Sequence, residues 1–109
     1  MIFPMNAPMF DLLVLSITEK ADAYGYQLSQ IIKQVSNTKD STLYPVLKRL
    51  QEQGFLTVYD QSYQGRNRRY YRITEAGRRH FRMLSEEWRI YQEAVDQIVK
   101  TGGKTDEQR

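Results

Sequence analysis

Three features of this 109-residue sequence predict a protein that is mainly α with a small β-hairpin (α+β). Apolar residues recur at helical spacing in three short stretches between Asn6 and Gly54. The period then falls to two between Phe55 and Thr74, and an unbroken a/d pattern runs from Phe81 to Ile98. Three helices, a hairpin and a final long helix, in that order, make a winged helix-turn-helix followed by a long C-terminal dimerisation helix. The expected boundaries are residues 1–74 for the winged unit with its N-terminal arm, 75–101 for the last helix and 102–109 for a disordered tail.

The first helix begins after Asn6, a cap candidate, because Ala7 and Pro8 suit a first turn and Phe10, Leu13, Val14 and Ile17 fall on one face. It ends in the polar stretch Glu19 to Asp22. The second set, Leu28, Ile31, Ile32 and Val35, follows Tyr24-Gly25-Tyr26 and stops at Ser36-Asn37-Thr38. A third helix starts near Lys39 or Asp40, with Leu43, Val46, Leu47 and Leu50 on its stripe and Gly54 in the place of a left-handed cap. Pro45 inside it has no N–H for the Ser41 carbonyl, which predicts a local bend or an early first turn.

Phe55 to Tyr63 and Arg68 to Thr74 are rich in aromatic and β-branched residues, and Gln64-Gly65-Arg66-Asn67 between them has turn composition. Thr74-Glu75 then reads as a helix start, a hydroxyl cap followed by an acid, although Gly77 weakens it by up to ~1 kcal/mol. Along the helix Phe81, Leu84, Trp88, Tyr91, Val95 and Ile98 are spaced alternately three and four apart. Gly102-Gly103 stops it, and Lys104 to Arg109 is a polar tail.

Composition narrows the chemistry. An apolar fraction of 40% is lean for a monomer of this size, so self-association is expected, and a net charge of +3 decides little until its distribution is known. Without cysteine there is no disulfide framework, thiolate nucleophile or cysteine-based metal site, and the single His80 leaves few metal options. No cofactor is implied. His80 stands between Arg79 and Phe81 with no nucleophile or carboxylate pair marked around it, so an enzyme is not expected. The N-terminus has no basic leader, and the longest apolar run, Leu12 to Leu15, is far below the ~20 residues of a membrane span. A cytoplasmic protein with no membrane partner is the expectation.

The positive charge is concentrated. Arg66, Arg68, Arg69, Arg72, Arg78, Arg79 and Arg82 supply seven of the sixteen basic residues within residues 65–82. Arginines at a hairpin tip suit phosphate oxygens or a minor groove, and Tyr63, Tyr70 and Tyr71 add rigid flanking surface. Taken alone, such a segment equally describes a charged, protected edge strand. The third helix offers a matching face: with its apolar stripe inward, Ser41, Pro45 and Lys48 point outward and Tyr44 and Arg49 flank them. That combination fits the major groove of double-stranded DNA.

Tyr24-Gly25-Tyr26, then Ser41-Thr42-Leu43-Tyr44-Pro45 with Leu47, Arg49 and Leu50, then Gly65-Arg66 with Arg69-Tyr70-Tyr71-Arg72-Ile73-Thr74 and Gly77, closely resemble the PadR family of bacterial transcriptional regulators. The resemblance covers about residues 6 to 100 and lies with the short, multidrug-regulator-like branch. It implies a winged-helix homodimer that represses transcription at an inverted-repeat operator and is released by a small-molecule effector. The expected DNA-contacting set is Tyr24, Ser41, Thr42, Tyr44, Lys48, Arg49, Arg66, Arg68 and Arg69, and the expected dimer interface is Phe10, Phe81, Leu84, Trp88, Tyr91, Val95 and Ile98. Trp88 matches the tryptophan that stacks around planar drugs in multidrug-binding relatives, so Trp88, Phe10 and Tyr91 are the effector candidates and a planar aromatic molecule the candidate ligand. One departure is Lys39, where relatives often carry a capping serine or asparagine, which leaves capping to Thr38 or Asp40. The competing function is a non-enzymatic protein-interaction adaptor that pairs the last helix with a partner as a coiled coil. Steep salt dependence separates the two, since log K for a DNA binder falls by roughly 0.9 per phosphate neutralised.

Overall fold

The chain enters its first helix through a side-chain cap: the Asn6 carboxamide oxygen accepts the Met9 N–H at 3.2 Å, and Pro8 sits in the first turn where its missing N–H costs nothing. The computed structural model describes residues 3–104. Its elements are α1 (Ala7–Lys20), β1 (Ala23–Tyr24), α2 (Gly25–Ile32), α3 (Asp40–Glu52), β2 (Leu56–Tyr63), β3 (Arg66–Ile73) and α4 (Glu75–Thr101). The three strands form one antiparallel sheet in the order β1-β3-β2. The architecture is the winged helix-turn-helix with a long C-terminal helix that the periodicities predict.

One core joins the helices to the inner face of the sheet. Val14 and Leu15 of α1, Leu28 and Ile32 of α2, Leu43, Leu47 and Leu50 of α3, and Leu56, Tyr71 and Ile73 of the sheet are all buried. Because α1 packs against α2, α3, β3 and α4, its apolar face is consumed within the chain. Phe10 is therefore a correction: expected at a dimer interface and an effector pocket, it is 7% exposed and belongs to its own chain's core.

Four further details depart from the sequence reading. The strand β1 was not anticipated; two residues carry no period, and Ala23 and Tyr24 are held by pairing with Tyr71 and Tyr70, distant in sequence. Regular α2 ends at Ile32, after which Gln34 and Val35 donate three residues back in a tightened turn, leaving Ile31 and Val35 exposed. The hairpin loop has only two residues, Gln64 and Gly65, both left-handed (φ 51° and 79°), so Arg66 and Asn67 belong to β3 and pair with Tyr63 and Ser62. Consecutive left-handed residues match the twist of the flanking strands, which is why the tighter loop wins. Finally, α3 runs unbroken through Pro45, with Lys39 at its N-cap making no side-chain bond. Its start is tightened instead, the Thr42 and Leu43 N–H groups both donating to the Lys39 carbonyl.

An ion pair between a nearly buried carboxylate and a half-exposed guanidinium joins α1 to α3. Asp11 is 7% exposed, and both of its carboxylate oxygens accept from the two terminal nitrogens of Arg49, which also donates to Gln53 at 3.1 Å. The same bonds hold the guanidinium of Arg49 more firmly protonated than usual, against the cost of partial burial.

The junction between the sheet and α4 is built on Thr74 and Gly77. The Thr74 N–H donates to the Phe55 carbonyl at 3.1 Å, its hydroxyl donates to the Gly54 carbonyl at 2.6 Å, and its oxygen accepts the Gly77 N–H at 3.0 Å. A Cβ on Gly77 would overlap the Phe55 carbonyl oxygen and come within 2.7 Å of Ile73 Cγ1. Gly77, read in the sequence as a weak point of the helix, is the residue that lets α4 leave the sheet at this close approach. Beyond Phe81 and Leu84, which pack against the core, the apolar stripe of α4 is largely open: Trp88 is 37% exposed, Tyr91 64%, Val95 40% and Ile98 59%. Arg89 braces the opposite face, bonding Glu86 at 2.6 Å and Glu93 at 2.9 Å. The bond from Arg89 holds the Glu86 carboxyl below its ordinary range, so this brace is present above the unfolded carboxylate pKa and is lost as pH falls through the lowered value. Gly102 closes the helix in a left-handed conformation. Of the expected N-terminal arm, Met1 and Ile2 lie outside the described residues, as do residues 105–109 of the expected tail.

Two outcomes follow from these contacts. Gly77→Ala should lower the thermal midpoint by roughly 5–15 °C in circular dichroism melts, the overlap outweighing the gain in helix propensity. Removing Arg49 alone should cost about 1.5–3 kcal/mol in urea unfolding because Asp11 loses its partner inside the protein, whereas Asp11→Asn combined with Arg49→Gln should recover part of that loss.

Candidate nucleic-acid interface

The polar face of α3 is formed by default once Leu43, Leu47 and Leu50 turn inward. Ser41, Pro45 and Lys48 are exposed and Tyr44 flanks them, as the helical wheel predicts, and Thr42 is exposed beside them. Arg49 is not available in the same way. Its guanidinium is committed to Asp11 and Gln53, so its expected place among the DNA contacts is corrected to a structural one. Two-dimensional projection put it on the flank of the helix; the acid that claims it lies on another helix, invisible to that projection.

Tyr44 reaches from α3 to the start of α2. A Cβ on Gly25 would stand 3.1 Å from the Tyr44 hydroxyl oxygen and 3.2 Å from its ring, so glycine is what permits the ring to lie against this backbone. Between these two helices and the wing opens a groove of about 730 Å³ lined by Tyr24, Gly25, Tyr26, Tyr44, Arg66, Asn67, Arg68, Arg69 and Tyr71. Among the described residues three arginines line it and no carboxylate does. Tyr71 forms the inner floor, where burial pushes its phenol above the ordinary value, and it therefore presents a neutral ring and hydroxyl.

Strand alternation divides the wing residues between two faces. Asn67, Arg69 and Tyr71 share the face of Ile73, while Arg66, Arg68, Tyr70 and Arg72 share the other. Arg69 extends past the edge of the core and stays exposed, pairing with Asp60 across the strands at 3.5 Å in a contact too solvated to hold it. On the outer face the rings of Tyr24, Tyr70 and Tyr59 form a ladder across all three strands, with centroid separations of 5.5 and 5.3 Å. The ladder is anchored at Asp22, which accepts from the Tyr59 hydroxyl at 2.7 Å and from Arg72 at 3.1 Å. Donating to that carboxylate raises the Tyr59 pKa. The Arg68 guanidinium lies over Tyr24 and over Tyr63, its carbon 4.2 and 3.9 Å from the two ring centroids.

The structure thus brings Tyr24, Tyr44, Arg66, Arg68 and Arg69 to one groove and leaves Ser41, Thr42 and Lys48 on the open face of α3 beside it. Gly25, Tyr26, Asn67 and Tyr71 also line the groove and lie outside the expected DNA-contacting set, although Gly25, Tyr26 and Tyr71 belong to the sequence motifs that point to the family. For Asn67 the signal was obscured by assigning it to the turn. For Gly25 it was the Tyr-Gly-Tyr context, in which a glycine starting a helix marks a close approach. Among the described residues no helix is long and apolar enough to cross a membrane.

Comparison with known proteins agrees with this geometry. Residues 14–83 match the Transcriptional regulator PadR-like family. A crystal structure of smu.1704 from Streptococcus mutans UA159 superimposes with a TM-score of 0.91 at 42% identity, covering 97% of this chain and 100% of that one. A PadR family transcription regulator from Clostridium difficile R20291 gives a TM-score of 0.76 at 30% identity over 83% of this chain and 97% of that one. The transcriptional regulator Rv3488 of Mycobacterium tuberculosis is 33% identical over 89 residues, 82% of this chain and 69% of the relative. The chain belongs to the PadR-like family of transcriptional regulators, DNA-binding proteins that are not enzymes.

Proposed function

We propose that this regulator is a cytoplasmic homodimer that represses transcription at an inverted-repeat operator and is released by a planar aromatic effector. The observation that carries the DNA-binding reading is the groove beside α3, walled by Arg66, Arg68 and Arg69 without a carboxylate and continuous with the exposed polar face of Ser41, Thr42, Tyr44 and Lys48. In this reading α3 enters the major groove and the wing grips the flanking backbone. Support for the dimer comes from the uncovered stripe of Trp88, Tyr91, Val95 and Ile98, which continues the packed positions Phe81 and Leu84. With 27 residues, α4 spans about 40 Å at 1.5 Å per residue, enough for two copies crossing at a dyad to hold recognition helices ~34 Å apart.

Effector release is supported by a second, apolar groove of about 670 Å³ between the N-terminal segment, α1 and α4, where Met9, Leu12, Trp88 and Tyr91 meet. The Trp88 and Tyr91 rings are in contact with centroids 6.0 Å apart and give the groove an aromatic wall. Phe10 is not part of that groove. A ligand there lowers DNA affinity only as far as it prefers the DNA-incompetent dimer, a tenfold preference corresponding to about 1.4 kcal/mol of coupling.

With an operator selected from random duplexes by the purified protein, Lys48→Ala and Arg66→Ala should each weaken binding by about 1 kcal/mol and flatten the salt slope by about one. Unchanged affinity after both are removed together would refute the interface. Replacing Trp88 and Tyr91 with Asp should yield monomers by light scattering, and a stable dimer would overturn the α4 interface. Planar aromatic cations should quench Trp88 fluorescence and release operator in parallel; quenching with operator affinity unmoved would remove the effector reading.

A further inference from the structure

Among the arginines of the wing, Arg68 is held differently. Arg66 and Arg69 are exposed and Arg72 is tied to Asp22, whereas Arg68 is half-buried with its guanidinium between two tyrosine rings. Both rings are themselves fixed. Tyr24 pairs with Tyr70 in the sheet, meets its ring at a tilt of 60° with centroids 5.5 Å apart, and donates its backbone N–H to Gln27 at 3.0 Å. Tyr63 closes β2 opposite Arg66, beside the two-residue loop. Among the described residues no acceptor bonds the Arg68 guanidinium, although Arg49, Arg69, Arg72, Arg78 and Arg89 all have acidic partners.

A guanidinium whose carbon lies over two rings is held by them while its N–H groups make no bond to either, and those N–H groups fit two oxygens of one anion. Rotamer freedom that a free arginine would lose on binding is already restricted by the rings. The side chain stands on the sheet face away from Tyr71 and Ile73, and hence away from the core and α3. From there it lies at the outer margin of the groove rather than on the face that would meet base edges.

We infer that Arg68 is a pre-set fork for one phosphodiester of the DNA backbone, and that Tyr63 and Tyr24 are its positioning residues. This rests on the DNA-binding reading above and adds to it a division of labour: Arg66 and Arg69 are exposed charges with no ring against them, whereas Arg68 is a held one that sets how the wing sits on the duplex.

The test measures affinity by fluorescence anisotropy for the selected operator and for an unrelated duplex, across a salt series, with thermal midpoints recorded for every variant. Tyr63 is 48% exposed, so its truncation opens no core cavity. Tyr63→Leu should weaken both duplexes by roughly fivefold to tenfold and flatten the salt slope, while Tyr63→Phe, which keeps the ring, should match the parent protein. Arg68→Lys, with both rings intact, should lose nearly as much as Arg68→Ala, because an ammonium is no fork. In the Arg68→Ala background Tyr63→Leu should cause no further loss. Additive losses from Tyr63→Leu and Arg68→Ala, or equal binding by Arg68→Lys and the parent, would overturn the clamp. An Arg68→Ala defect confined to one operator base pair would make it a base reader and overturn the phosphate assignment. If Lys48→Ala and Arg66→Ala weaken binding while Tyr63→Leu does not, the clamp alone fails; if none of these variants changes affinity, the DNA interface itself fails.

Discussion

A carboxylate enclosed in so small a protein has to be answered, and the answer to Asp11 sets the position of α3. The pair with Arg49 joins the helix that carries the interface to α1, which packs against α2, α3, β3 and α4. The pair yields little net stability, because the desolvation of Asp11 offsets much of its attraction to the half-exposed Arg49. What the pair supplies is direction: a fork bonding both carboxylate oxygens accepts only a narrow range of rotations of α3 about its axis. Which residues of α3 face outward is thereby fixed by two requirements at once, the leucine stripe and the ion pair. A parallel link, Ser29 Oγ donating to the Asp40 carboxylate at 2.7 Å, ties the start of α3 to α2. The interface therefore stands on a helix held at its first turn and again in its third.

Most of this fold could be read in the sequence because its elements are strongly periodic. The stripe of α3, the alternation of β2 and β3, and the a/d run of α4 each state which face is apolar before any coordinates are known. What was not legible depends on partners distant in the chain. Nothing local distinguishes Ala23-Tyr24 from a loop; they become a strand only because β3 offers an edge. Phe10 and Arg49 were misplaced for one reason in two forms: a helical wheel says which side a residue occupies, not whether another element has taken that side. Gly77 shows the same limit, since helix propensity registers the missing Cβ as a loss and only the Phe55 carbonyl reveals why it must be missing. Of the interface, the residue types and the two elements that carry them were readable, while the sandwich around Arg68 was not, because it joins residues from β1, β2 and β3.

The wing and α4 are more tightly joined than a hinge would be. Thr74 closes the sheet and opens the helix through three hydrogen bonds, and Gly77 presses the first turn of α4 onto the chain segment between α3 and β2. Lys20 over the Phe81 ring and Arg78 beside Glu19 add α1 to the same junction. A displacement of α4 at its packed end is thus met by the sheet and α1 together rather than absorbed at one flexible residue. The distal turns are more open, and contacts within the helix, such as those of Arg89, support their local order.

The projection of α4 also governs how a single chain moves through solvent. Its extents are 68 × 29 × 20 Å and its radius of gyration is 17.2 Å, where a compact chain of this length would have about 13 Å. Drag depends on the long axis more than on mass, so one copy sediments slowly for its weight and elutes from a sizing column ahead of a sphere of equal mass. Rotation about the long axis is faster than end-over-end tumbling, which gives amides along α4 relaxation rates set by the helix direction as well as by local motion.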